Sequence, residues 1–177
     1  MSAPALNQKT LRRLLRYDPA TGVFAWKWRT DVCSSWNTRY ANKRAGYSWT
    51  PDGGKTHYWV IRIFDWPFYA HRLAILYVTG EWPPITVDHA DRNGLNNKLS
   101  NIRLASRAEN MANCGAFKNS KTGLRGVSFH KRVNKYRATI TINGRQLFLG
   151  NFDNPRLAYA AYQQAARAAF GKFARSE

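Results

Sequence analysis

The dipeptide Asn143-Gly144 constrains this chain most, because it stands between two alternating runs, Lys135 to Ile142 and Arg145 to Gly150. Two residues that tolerate positive φ in that position specify a tight β-hairpin. A further stretch, Gly123 to His130, precedes them, and the three together predict a three-stranded antiparallel sheet. Asn154 supplies an N-cap, Pro155 fills the first helical position, and Gly171 stands just past the end of the helix they predict. Its apolar stripe is expected to run through Leu157, Ala158, Ala161, Ala165, Ala168 and Ala169. In the central strand Tyr136, Ala138, Ile140 and Ile142 share one face, with Arg137, Thr139 and Thr141 on the other. The helix should cover the first face and leave the second open.

Residues 114–122 are small, polar and basic, the composition of a linker. Upstream, Lys9 to Arg16 reads as a short basic helix, and Asp18 to Gly22 as a turn into a strand from Val23 to Trp28. Residues 29–56 read as loop, His57 to Phe64 as a strand, and Phe68 to Val78 as a helix stopped by Gly80 and Pro83-Pro84. The expected organisation is a basic, strand-containing region over 1–70, a core over 71–113, a linker over 114–122 and a sheet-and-helix module over 123–177.

At 177 residues the chain holds one medium domain or two small ones, and 44% hydrophobic residues suffice for real cores. Twenty-eight Lys and Arg against ten Asp and Glu give +18, which points to a polyanionic partner. The excess is uneven. Residues 1–70 carry 11 basic and 4 acidic groups, residues 114–177 carry 12 and 2, but residues 71–113 carry 5 and 4. Charge neutralisation alone gives the middle no reason to hold carboxylates. The two cysteines, 81 positions apart, exclude a Cys-x-x-Cys zinc ribbon or a disulfide scaffold. No apolar run has signal-peptide or membrane-spanning length, and no heptads specify a dimer, so a soluble monomer of a reducing compartment is expected.

In the middle, Asp88-His89 ends an apolar stretch just before a loop, Asn101 to Leu104 reads as a short strand, and Ser106 to Glu109 is a capping box that starts a helix with Asn110 in its first turns. Neighbours on a strand face opposite ways, so Asp88 could hold a metal while His89 takes a proton from water. Asp88 and the amide oxygen of Asn110 would suit a hard cation such as magnesium, which keeps water and substrate phosphate in its shell. Phosphodiester hydrolysis needs these two elements, a cation for the leaving oxygen and a base for water. His71 reads as a packing or phosphate residue, and Asp91 as a turn former. His57 and His130 carry no assigned chemistry.

These residues resemble the HNH nuclease family, and more closely its phage subgroup in which Asp-His opens the motif. The spacing of Asp88, His89, Asn101 and Asn110 matches, as do Leu99-Ser100-Asn101-Ile102-Arg103, His71-Arg72-Leu73 and Gly80-Glu81-Trp82-Pro83. The resemblance covers roughly residues 17–113. It implies an α+β fold with a ββα-metal core and one divalent metal, Mg2+ or Mn2+. By the same resemblance His89 activates water, Asp88 and Asn110 ligate the metal, and Asn101 holds the loop. Asn110 stands where many members have His, as in intron-encoded nicking relatives. One such site cuts one strand.

Leu124-Arg125-Gly126-Val127, Phe148 to Asp153 and Ala158 to Tyr162 look like the plant ethylene-response-factor (AP-two) DNA-binding domain, over roughly residues 121–174. Of its base-reading positions Arg125 is retained, whereas Ser128 and His130 replace arginines and Phe148 replaces a tryptophan. The expected DNA contacts are Arg125, Lys131, Lys135, Arg137, Thr139, Thr141 and Arg145. The combined expectation is a phage-encoded, metal-dependent endonuclease of homing or free-standing type. Its partner is double-stranded DNA, it needs no membrane, and it works in the cytoplasm of the bacterial host. The alternative is a DNA-binding or regulatory protein with an inactive core.

Overall fold

Asn7 caps the first helix, its side chain accepting from the Thr10 N–H at 2.9 Å, and α1 runs over Gln8–Leu14. The computed structural model describes residues 6–51, 56–117 and 119–175. Arg16, expected at the end of this helix, lies instead in β1 (Leu15–Asp18), which pairs antiparallel with β2 (Val23–Trp26). Leu14, the last residue of α1, and Leu15, the first of β1, are both fully buried. The hairpin turn is closed by Asp18, which accepts from the Ala20 N–H and the Thr21 hydroxyl.

The stretch expected as loop over 29–56 holds two further elements, α2 (Ser34–Tyr40) and β3 (Tyr47–Trp49). Buried Asn37 anchors α2 by donating to the Arg29 carbonyl at 2.6 Å and accepting from the Arg29 N–H at 3.0 Å. β3 exists by pairing with β4 (Tyr58–Ile63), which in turn pairs with β5 (Trp66–Tyr69). Neither feature has a periodic signature. The expected helix from Phe68 consequently begins later, as α3 (Ala70–Thr79), and ends at Gly80.

The core gathers Leu11, Leu14, Leu15, Phe24, Ile61, Ile63, Leu73 and Leu76. Burying each such side chain contributes about 1.5–3 kcal/mol. Arg12 donates to the Tyr77 carbonyl near the end of α3, satisfying a C-terminal group that the helix itself cannot. β6 (Thr86–His89) and β7 (Ile102–Ala105) form a separate two-stranded sheet.

Contacts divide the chain into two units, Met1–Leu104 and Ala105–Glu177. The second unit takes in α4 (Arg107–Asn113) as well as the stretch 114–122. Within that unit Arg125 donates to the carbonyls of Cys114 and Gly115. Lys118 lies outside the described residues. Ser106 and Glu109 close both bonds of the capping box on α4, at 3.2 and 2.7 Å.

The second unit continues with β8 (Val127–His130), β9 (Lys135–Ile142) and β10 (Arg145–Phe152), ordered β10-β9-β8, then α5 (Pro155–Phe170). Asn143 and Gly144 both take positive φ, 51° and 76°, as the hairpin between β9 and β10 demands. Ala138 and Ile140 are buried with Ala158, Tyr162 and Ala166 of α5. The stripe is thus narrower than expected: Leu157 is 58% exposed, and Ala168 and Ala169 also face outward. Spacing of four residues puts 158, 162 and 166 on one line, and 157 falls off it. Among the described residues no helix is long and apolar enough to cross a membrane.

Candidate active site

β6 ends in Asp88 and His89, which are 6% and 5% exposed. Asp88 Oδ2 accepts from Arg103 Nε and Nη2 at 2.9 and 2.8 Å, an ion pair between β6 and β7. His89 Nε2 lies 3.2 Å from Asn97 Oδ1. Asn97 donates its own amide to the Leu95 carbonyl, so its oxygen is the atom turned to the ring. An amide oxygen only accepts, so this contact favours the tautomer of the neutral ring that carries its proton on Nε2.

Asn97 is itself locked. It is 2% exposed, and its carbonyl accepts from the Tyr17 hydroxyl at 2.8 Å. Burial pushes the Tyr17 phenol up to about 12, so it remains a donor throughout the working pH range. Gly22 lets the β1–β2 turn lie directly against this loop: a Cβ there would sit 2.4 Å from both Asn97 C and Lys98 N, and its φ of 74° already disfavours any side chain. The N-terminal hairpin, whose purpose the sequence leaves open, is a brace for the loop that orients His89.

Asn101 clasps the same loop from the other end. Its amide donates to Asp91 Oδ1 and the Asn96 carbonyl, and its side-chain oxygen accepts from the Asp91 N–H. Asp91 also accepts from the Asn93 N–H and the Asn96 amide. These bonds hold its carboxyl below the usual range against the opposing effect of burial. Asp91 is a turn residue, as its position suggests.

His71, the first-turn residue of α3, enters the site from the opposite side. Its ring meets His89 edge-on at 4.9 Å and stacks on Tyr69 at 5.3 Å. It is 7% exposed, and its Nδ1 has no hydrogen-bond partner among the described residues. Burial, reinforced by His89 and Arg72, pushes its pKa down to about 3. Burial also lowers that of His89, partly opposed by the bond to Asn97 and by Asp91 and Asp88. Both rings are neutral near pH 7.

Asn110 lies on α4 in the second unit, where its N–H donates to the Ser106 carbonyl. Of the expected DNA contacts, Lys131, Thr141 and Arg145 are exposed, and Thr139 is half-buried. Lys135 pairs with Asp153 at 3.3 Å. Arg137 lies over the Phe148 ring at 5.6 Å with its Nε buried. Arg125 is committed inward, donating to the Tyr162 hydroxyl at 2.8 Å as well as to the two carbonyls.

Sequence reasoning missed Asn97 and Arg103. The doubled Asn96-Asn97 in a loop following an Asp-His pair was the available signal for the first. For the second, alternation along β7 turns Arg103 away from the buried Ile102.

Among the described residues no three His, Cys, Asp or Glu side chains gather as a metal-binding group. The donors present, one buried carboxylate and amide oxygens, fit a hard cation that retains water, and do not fit a closed zinc site.

Residues 68–112 match the HNH endonuclease family. The chain is 37% identical over 100 residues to an uncharacterized HNH endonuclease of Acanthamoeba polyphaga mimivirus, covering 56% of this chain and 51% of that protein. It is 42% identical over 60 residues to Protein 3.8 of Escherichia phage T7, covering 34% of this chain and 50% of that protein. The chain thus spans about half the length of each of these curated relatives. No solved structure matches it. The similarity to HNH endonucleases falls on the segment that holds α3, β6, β7 and α4, and Asp88 and His89 lie within it.

Proposed function

We propose that the protein is a metal-dependent DNA endonuclease that hydrolyses one phosphodiester bond at a time, nicking duplex DNA. The observation that carries this reading is the state of His89: buried, neutral, and with its Nε2 proton held by Asn97. Such a ring offers Nδ1 as the general base for an attacking water. Asp88 would hold a magnesium or manganese ion, which would supply positive charge for the leaving oxygen, and the motif spacing makes the amide oxygen of Asn110 the other candidate ligand. Asn101 keeps the loop closed so that His89 stays aimed, and Arg103 fixes the Asp88 carboxylate. Viral relatives support a phage- or virus-encoded enzyme, and on our reading it is of homing or free-standing type and acts as a monomer in the host cytoplasm.

The address would come from the second unit, read as a sheet module of ethylene-response-factor type. Lys131, Arg145 and the Arg137–Thr139–Thr141 face of β9 are its candidate DNA contacts, with Lys135 at the edge. Arg125 serves the fold of that unit. The ion pair on Asp88 is the one observation favouring an inactive, DNA-binding core. Supercoiled DNA incubated with and without magnesium separates the two: relaxed circles support the enzyme, and shifted but uncut DNA the binder.

Two further results are expected. Asn97→Asp should raise the acid limb of kcat/KM for nicking by about one pH unit, because a carboxylate on Nε2–H stabilises the imidazolium. An unmoved limb would detach Asn97 from the base. Arg103→Ala should destabilise the protein by about 2–3 kcal/mol, since it strands a buried carboxylate beside a partly solvated gap. Urea midpoints should then rise on adding magnesium in that variant, and not when Asp88→Asn is added. No magnesium response would remove Asp88 from the cation site.

A further inference from the structure

The three-stranded sheet β3-β4-β5 has one face on the core, through Ile61 and Ile63 with Trp59 and Phe68 packed against it. Register assigns the other face. Tyr47 lies opposite Val60, which lies opposite Tyr69; Trp49 lies opposite Tyr58; and Arg62 lies opposite Pro67. An antiparallel sheet with one face on a core ordinarily turns polar residues outward. Here four aromatic rings and one arginine occupy those positions.

Two of the rings stay open to solvent. Tyr47 and Trp49 are 43% and 41% exposed, while Val60 beneath them is 4% exposed. Tyr47, Trp49, Val60, Arg62, Pro67 and Tyr69 line a cavity of about 270 Å3. That is just under the size of pockets for drug-sized ligands and suits one planar ring system. The aromatic row also leads into the active site. Trp49 and Tyr69 are 6.1 Å apart, Tyr69 stacks on His71, and His71 meets His89.

We infer that this face is a stacking site for an unpaired nucleobase of DNA, held beside the phosphate that His89 addresses. The inference deepens the nuclease reading and rests on it for its ligand. Aromatic faces accept any base, and the guanidinium of Arg62 at the rim supplies the charge that the flanking phosphate requires. A protein partner is disfavoured by the same charge, on a chain of +18. Nicking then gains a place for a base displaced next to the cut, in the way that enzymes working on bases take them from the stack.

The test uses the full chain with fluorescein-labelled oligo(dT) and a duplex of equal length, read by anisotropy. Trp49→Ala combined with Tyr47→Ala should weaken oligo(dT) binding about 10-fold or more, with duplex binding reduced less. Trp49→Phe should restore most of it, because a ring remains. Both positions are well exposed, so melting curves of the variants should match the parent. Unchanged oligo(dT) affinity overturns the inference, and so does a loss of self-association on sedimentation in place of a loss of DNA binding. Nicking of supercoiled DNA by the parent reports separately on the nuclease reading. A parent that holds oligo(dT) through Trp49 yet nicks nothing keeps the stacking site and removes the nuclease. One that nicks with affinity indifferent to Trp49 does the reverse.

Discussion

His89→Ala is expected to lower metal-dependent nicking of supercoiled DNA by roughly 10²- to 10⁴-fold, the usual contribution of a positioned base, with little change in DNA binding. The ring is neutral and buried, and its Nε2 lies 3.2 Å from the Asn97 amide oxygen. Lowering its pKa below 6.5 also extends the range in which it can accept a proton. The acid limb of the parent's pH profile should therefore fall below that of an ordinary imidazole. The measurement is a plasmid-relaxation time course alongside gel retardation of the same DNA. Retained nicking would remove His89 from the chemistry, and lost binding with a lowered melting temperature would make it structural.

The second large effect concerns stability and pH. His71 titrates near 6.5 when unfolded but at about 3 when folded, because burial among Tyr58, Tyr69 and His89, with Arg72 nearby, penalises the cation. Between those values the unfolded chain binds a proton that the folded chain refuses. Stability is thus fully present above pH 6.5 and declines as pH falls. The loss from His71 alone should be on the order of 3 kcal/mol by pH 4, and His89 adds to it in the same direction. His71→Phe keeps a ring against Tyr69 and removes the titration, so its urea midpoint should change less between pH 7 and pH 4. Equal losses in parent and variant would show that His71 is not the source.

Local signals were legible wherever a few adjacent residues carry their own geometry. Asn143-Gly144 closes its hairpin, Ser106 and Glu109 close their capping box, and Asn154 caps α5 by accepting from the Arg156 N–H. Each is a backbone requirement met within a few positions, which tertiary contacts seldom override. The segment of 29–56 was illegible for the opposite reason. α2 hangs on one buried amide, Asn37, and β3 on a partner nine to thirteen residues away, so neither leaves a period in the sequence.

The same division runs through the candidate site. Asp88, His89 and Asn101 could be named from spacing, because their residue types state their chemistry. Their states could not. That Arg103 holds Asp88, that Asn97 meets the ring of His89, and that His71 sits uncharged against it follow from burial and contacts across 8 to 80 positions of chain, where composition is silent. The sequence by itself determined which groups are present, the local turns and caps, and the positive charge that attracts a polyanion. Only the tertiary structure decided which groups lose water and which atoms face each other, because desolvation and hydrogen-bond geometry exist only once distant segments are packed.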